Sequence, residues 1–462
     1  MVQLLLLLLG VQAVRRHWQW LALIGAAWIA LGLIVVIDPL ERAQKFTMHI
    51  LGELLVLEGA VVIIVWVLNS SRRQLSFLRA AALILPGLLI IDTPWRNVVL
   101  ISCLFGLALT ADGVIRLAST LLMRFPGWRW AVAGSLLEVG LALLAFTPWP
   151  VSYEATIPFC VGVALILSGW AVLRSGLLLR RLPPDAPITS LPIFRAQRGW
   201  HVPVALGGPQ GAADLAEKPG PRMIVHVWTA VASAASPRAN PLINRYIAAV
   251  DANGTVSTGH AALEMPPDLY ISHYGASDQD RTGKEFLGAL NAGRHNDVQG
   301  RFLPSYRSEV AEWCEANEHV VFRRFDAERL RLFWSTYRQD PTYNLTNRNC
   351  SVAVALALDV ALEGVIGRRR RWLPPRVLRL VMHPDLYLAT LLRKRAHTMT
   401  WTPGLVLDYA RALHRVVEPP SLSWPAMVRQ TFRAYRRSRG RQTAGAGAPA
   451  SDAKAAKPGV AT

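Results

Sequence analysis

Six runs of about twenty apolar residues crowd the first 180 positions of this 462-residue chain, and no other feature limits its possible folds so strongly. In hydrocarbon each backbone N–H and C=O has to be satisfied within its own segment, so a run of that length is read as a helix crossing a bilayer. The runs cover approximately 18–37, 47–68, 74–91, 97–118, 128–146 and 155–178, separated by Pro39, Pro94, Pro148, Pro150 or arginine-bearing turns. An even number of crossings returns the chain to its starting side. Leu4 to Leu9 come earlier, a run too short to span and without the basic flank of a standard signal peptide, for which a misassigned start codon is an equal explanation.

The apolar half repeats itself. Gly52 and Gly59, Gly106 and Gly113, and Gly162 and Gly169 each enclose six residues, at offsets of 54 and then 56. The helix before each pair carries Gly32, Gly87 or Gly140, followed seven or eight residues later by Pro39, Pro94 or Pro148. Glycines seven apart share a helix face and let backbones approach closely, which is how helices associate where lipid offers no hydrophobic drive. Three helical hairpins packed on glycine seams are expected. Short-loop cations give the orientation, with ten on the N-terminal side, among them Arg15, Arg16, Arg72 and Arg73, against Arg42, Lys45 and Arg96 on the other. That asymmetry predicts both termini in the cytoplasm.

Glu53, Glu58, Asp112, Arg116 and Glu138 fall inside the runs, where charge is expensive and marks a proton or ion path when it faces a wet cavity. The plainer reading is local neutralisation, since Asp112 and Arg116 are spaced i, i+4. On its Gly-bearing helix pairs, the segment from about 15 to 180 resembles the HdeD family of bacterial acid-resistance membrane proteins. The resemblance implies six helices in a bacterial cytoplasmic membrane and brings no catalytic residues with it.

Composition changes near residue 182. Residues 1–182 hold 14 Lys/Arg and 8 Asp/Glu while 183–462 hold 36 and 23, so most of the net charge of +19 lies outside the apolar half. Four scattered cysteines without a C-x-x-C pair give neither a disulfide framework nor a zinc knuckle, so no metal or cofactor is expected. Residues 183–221 read as a Pro/Gly/Ala-rich linker. Beyond it MIVHVWTAVAS (223–233) reads as a buried strand, NPLINRYIAAVD as a helix, and TVSTGHAALEM and LYISHYG as two strands joined through Pro266, Pro267 and Asp268. A short turn there sets His260, Ala262 and Glu264 opposite Ile271, His273 and Gly275, so the two imidazoles are expected to meet across the ladder.

Cys350 stands where the loop of Tyr343 to Asn349 gives way to an apolar helical run ending near Leu362. A thiol there feels the positive end of the helix dipole, which favours the thiolate. With a histidine to take the proton and a polar group to orient it, Cys350, His260 and His273 fit a covalent thiol site, supported by Asn349, Glu264 and Tyr343. Cys314, expected inside a helix between Glu312 and Glu315, reads as structural because carboxylates oppose a thiolate.

GHAALEMPPDLYISHYG followed by TNRNCS resembles the permuted NlpC/P60 branch of papain-like enzymes, and within it the Lnb-type N-terminal catalytic domain. The likeness rests on Gly259-His260, Tyr274-Gly275 and Asn349-Cys350-Ser351 and covers about 223–362. It implies an α+β domain with an antiparallel sheet, Cys350 as nucleophile and His260 as base, with weaker support for His273. Lnb-type domains are expected outside the cytoplasmic membrane, whereas the loop charges here point inward.

Residues 365–440 alternate arginines with Trp372, Leu373, Val377 and Leu378, the composition of a segment lying on a bilayer surface beside anionic lipid headgroups. No nucleic-acid reader motif accompanies the charge, and 441–462 has the composition of a disordered tail. The expected organisation is an all-α six-helix membrane domain (1–182), the linker, and a papain-like thiol domain (222–364) that hydrolyses or transfers an amide or acyl group. The alternatives are a non-enzymatic acid-stress or scaffolding membrane protein, and a proton-coupled transporter using Glu58 and Asp112.

Overall fold

The computed structural model describes residues 2–37, 98–125, 127–183, 186–191, 221–230, 256–276, 288–367 and 383–418, with a few short stretches besides. The apolar half forms α1 (Val2–Arg15), α2 (Trp18–Ile37), α3 (Val98–Met123), α4 (Trp128–Leu144) and α5 (Tyr153–Leu179). Three of them, α2, α3 and α5, are long and apolar enough to cross a membrane, while α4 stops at 17 residues. Leucines, isoleucines and tryptophans such as Trp20, Ile34, Leu107 and Trp170 stand exposed along these helices, as lipid-facing side chains do. The expected runs at 47–68 and 74–91 lie outside the described residues apart from isolated helical positions such as Glu53.

Glycines set the helix packing, but between hairpins. A Cβ on Gly25 would come within 2.4 Å of the Leu173 backbone, and one on Gly32 within 2.7 Å of Gly162 O, so α2 lies backbone to backbone on α5. Gly106 and Gly113 of α3 likewise meet Ala145, the residue that ends α4, and Val139 inside it. Among the described helices the seams thus join α2 to α5 and α3 to α4. The seven-residue spacing was legible, and the partner across each seam was not.

The second half adds β1 (Met223–Trp228), β2 (Ala249–Val250), β3 (Val256–Ser257), β4 (His260–Met265), β5 (Leu269–Ile271), β6 (His273–Gly275) and β7 (Val298–Phe302). After α6 (Tyr306–Glu312) come β8 (Glu318–Phe322), α7 (Ala327–Tyr337), β9 (Thr342–Tyr343) and α8 (Cys350–Leu362). Helices α9 (Pro384–Thr398) and α10 (Pro403–Val417) close the described chain. An antiparallel sheet runs in the order β5-β4-β1-β8, a second in the order β6-β7-β9, and β2 pairs with β3. Val225, Val227, Ala261, Leu263 and Met265 face the main core with α8, which is apolar apart from Ser351 and Asp359 and buried along its whole length. Trp228, Ala262 and Tyr270 form a smaller cluster on the other face, with Tyr306 of α6 against it.

Several expectations change here. LYISHYG is not one strand, because it breaks at Ser272 and passes from the first sheet to the second. Ala249 and Val250 are strand rather than helix. Cys314 is exposed and lies beyond the end of α6, so it is not a helical core residue. Of the segment expected on a bilayer surface, Trp372, Leu373, Val377 and Leu378 lie outside the described residues, while Leu386, Leu392, Leu405, Tyr409 and Leu413 of α9 and α10 belong to the main core.

The early leucine run has a place in that same core. Leu4, Leu7 and Leu8 are fully buried, and Leu7 O and Leu8 O accept the backbone N–H groups of Gly364 (2.9 Å) and Ile366 (3.0 Å). Gly10 breaks α1 with a φ of 73°, and a Cβ there would stand 2.7 Å from Gly364 Cα, so both the dihedral and the contact require glycine. Met123, Phe125 and Leu179, at the ends of α3 and α5, join the cluster as well.

Candidate active site

Cys350 begins α8 because Asn349 caps it. The Asn349 side chain accepts the Val352 N–H at 2.8 Å and donates to Leu345 O (2.6 Å) and Trp401 O (3.2 Å), fixing the preceding loop and the approach to α10 at once. Arg348 tightens the same loop through Tyr337 O (2.9 Å) and Thr342 O (2.9 Å). His260 enters β4 from Gly259, whose φ of 71° and 2.3 Å Cβ clearance to Trp228 O exclude a side chain.

Register decides what His260 meets. Leu263 pairs with Ile271 and Glu264 with Tyr270, so His260, Ala262 and Glu264 share a face with Tyr270 and Ser272, and His273 falls on the other. The imidazoles therefore do not meet across the ladder. His260 Nε2 lies 3.0 Å from Ser272 Oγ and 3.1 Å from Glu309 Oε1, and its ring stacks on Tyr274 at 3.9 Å. Glu309, on α6 and without exposed surface, also accepts the hydroxyls of Tyr270 and Tyr274, both at 2.6 Å. Sequence reasoning missed this carboxyl. Glu309, Glu312 and Glu315 recur at helical spacing, and only the packing of a helix of about two turns shows which of them points at the sheet.

His273 is occupied elsewhere. Its Nδ1 lies 3.1 Å from Tyr337 Oη and its Nε2 3.4 Å from Pro341 O, with the Tyr343 ring edge-on at 5.2 Å. With the carbonyl taking the Nε2 proton, Nδ1 accepts from the phenol, and both nitrogens are used in holding the second sheet to α7. Glu264 contacts His226 Nε2 at 3.0 Å and is likewise engaged outside the thiol site.

Electrostatics around Cys350 differ from the expectation of an ionised thiol. Burial pushes the Cys350 thiol up, against the opposing pull of the Ser351 hydroxyl and the backbone N–H groups of Ala261 and Ser351. Loss of hydration outweighs the helix end. Burial also drives His260 down to about 3, and His273 to about 4 despite the Pro341 carbonyl. The resting site is a neutral thiol beside a neutral imidazole. Among the described residues no hydrogen bond joins the sulfur to either ring, and the Ser351 hydroxyl lies 3.7 Å from it. The sulfur nonetheless belongs to the His260 cluster: the N–H directed at it is that of the next residue, and burial, Glu309 and then Cys350 together hold the Tyr274 phenol neutral.

Three of the ionisable residues in the apolar half, Asp112, Arg116 and Glu138, pair with one another. Arg116 binds Asp112 on its own helix and Glu138 of α4 at 3.1 Å. Glu53 is exposed, and Glu58 lies outside the described residues.

Fold and site together define a helical protein with small antiparallel sheets, whose three long apolar helices suggest a membrane protein. Comparison with known proteins gives no matching family model, no matching curated protein and no matching solved structure.

Proposed function

We propose that the chain is a membrane-anchored cysteine enzyme, in which a permuted papain-like domain forms a thioester at Cys350 from an amide or acyl substrate. The observation that carries this reading is the grouping of a capped helix-end thiol with an imidazole whose Nε2 is already held by Ser272 and Glu309. That leaves Nδ1 of His260 to act. As the sulfur attacks the carbonyl, Nδ1 takes the thiol proton, and the Glu309 carboxyl beside Nε2 stabilises the imidazolium. The same proton then passes to the leaving group as the tetrahedral centre collapses to the thioester, and water or an amine later releases the acyl group. Substrate binding has to bring sulfur and ring into contact, which is a common difference between a free and an occupied site.

The membrane half is read as the HdeD-like six-helix anchor in a bacterial cytoplasmic membrane, with both termini in the cytoplasm. Burial of α1 in the core of the thiol domain supports a shared side for residues 2–15 and 221–418. A second reading, an inert tethered module, draws on the burial of the sulfur and its lack of a hydrogen bond to an imidazole.

An aryl acyl ester that releases a chromophore on acylation separates the two, using a Cys314→Ser background because Cys314 is exposed. The enzyme reading expects one equivalent of burst and an acyl mass shift on Cys350, both lost in Cys350→Ala. A burst that survives Cys350→Ala removes the thiol as nucleophile, and no burst with any acyl chain tried favours the inert module.

A further inference from the structure

On the far side of the sheet from β5, strand β8 and helix α10 enclose a cavity of about 790 Å³ walled by arginines. Arg222 precedes β1, Arg323 and Arg324 follow β8, and Arg411 and Arg415 stand one turn apart on α10. Its one lining carboxyl, Glu418, is committed to the backbone N–H groups of Arg323 (2.5 Å) and Arg324 (2.8 Å). Arg411 and Arg415 are steadied from the rim by Glu318 (2.6 Å) and Asp385 (2.7 Å). Among the described residues no carboxylate pairs with the guanidinium groups of Arg222, Arg323 or Arg324, and that of Arg324 donates only to Val417 O at 3.3 Å.

Charge on an open surface is usually solvated and repels its neighbours, whereas here five arginines line one concavity, two of them held by carboxylates and three, among the described residues, without a paired carboxylate. Guanidinium forks match phosphate oxygens bidentately, and a volume between about 300 and 1,000 Å³ suits a small organic ligand rather than a single ion. We propose that this cavity is a binding site for a phosphate-bearing anion larger than inorganic phosphate, either a soluble phosphate ester or a phospholipid headgroup. The proposal is independent of the thiol chemistry, since Cys350 and His260 are not among the lining residues.

The test uses the full chain in detergent, titrated with inorganic pyrophosphate by calorimetry. One site is expected with a Kd at or below about 1 mM. It should weaken at least about tenfold in Arg222→Ser/Arg323→Ser and less in the Lys counterparts, which keep the charge but lose the fork. Both arginines are exposed, and an unchanged unfolding temperature without ligand shows that the variant is folded. In phosphatidylcholine nanodiscs, added phosphatidylglycerol that weakens pyrophosphate binding assigns a lipid headgroup as the source, and unchanged affinity assigns a soluble ester. Absence of pyrophosphate binding, or binding indifferent to both arginines, overturns the site.

Discussion

In the proposed reaction, a carboxyl sealed from solvent, accepting two phenols and lying 3.1 Å from an imidazole, would stabilise that imidazole once it becomes charged. Glu309→Gln should slow acylation of Cys350 by roughly two to three orders of magnitude, the size of a general-base contribution. The burst rate measures it, and a loss below about threefold would leave Glu309 a packing group. His273 makes a different prediction, about stability. Burial lowers it from 6.5 to about 4 in the folded chain, so its contribution is present above 6.5 and is lost as pH falls from there towards 4. Denaturant unfolding of His273→Asn over that interval should show a shallower pH dependence than the parent, by about 1.4 kcal/mol per pH unit. Cys350 and His260 were legible in the sequence because an Asn-Cys at the head of an apolar run and a Gly-His at a strand start are local patterns. His273 was paired with them through a register error of one residue, which turns every side chain to the opposite face.

Elements formed largely where periodicity put them, and α8 begins and ends at the residues expected for it. Their partners depended on shape. The repeat glycines announce close helix contacts, yet whether Gly32 meets its own hairpin or the last helix is a matter of how the bundle closes, and it meets Gly162. Gly25→Leu should therefore destabilise the bundle by about 1–3 kcal/mol, because its side chain would run into the backbone of Leu173 with no space to move. Unfolding in a graded SDS titration reads this, and an unchanged midpoint would mean that the seam is not tight. Helix α10 illustrates the converse. Its arginines and leucines look like an interfacial segment, but the apolar stripe is satisfied by the core of the domain, and Arg411 and Arg415 line a cavity.

For the whole molecule, α1 ties the two halves together, with Met123, Phe125 and Leu179 joining the same core. Its leucines fill the core beneath α8 and α9 while its last turn leads directly into α2. Cutting the chain at a protease site inserted between Gly208 and Asp214 should leave the two fragments associated through purification in mild detergent, and Leu8→Asp should separate them, because a carboxylate at a fully buried leucine cannot be hydrated. Fragments that part without the substitution would show that α1 does not hold them. By itself the sequence determined which segments are apolar enough for lipid, where the thiol helix starts, and that composition changes near residue 182, since each follows from local composition, periodicity or a capping residue. Only the tertiary structure decided the face of each strand, the choice of Glu309 among three similar carboxyls, the neutral state of the thiol and the burial of the first leucines. Those depend on which surfaces meet and how much water they exclude, and contacts between distant residues leave no trace in the local order of the chain.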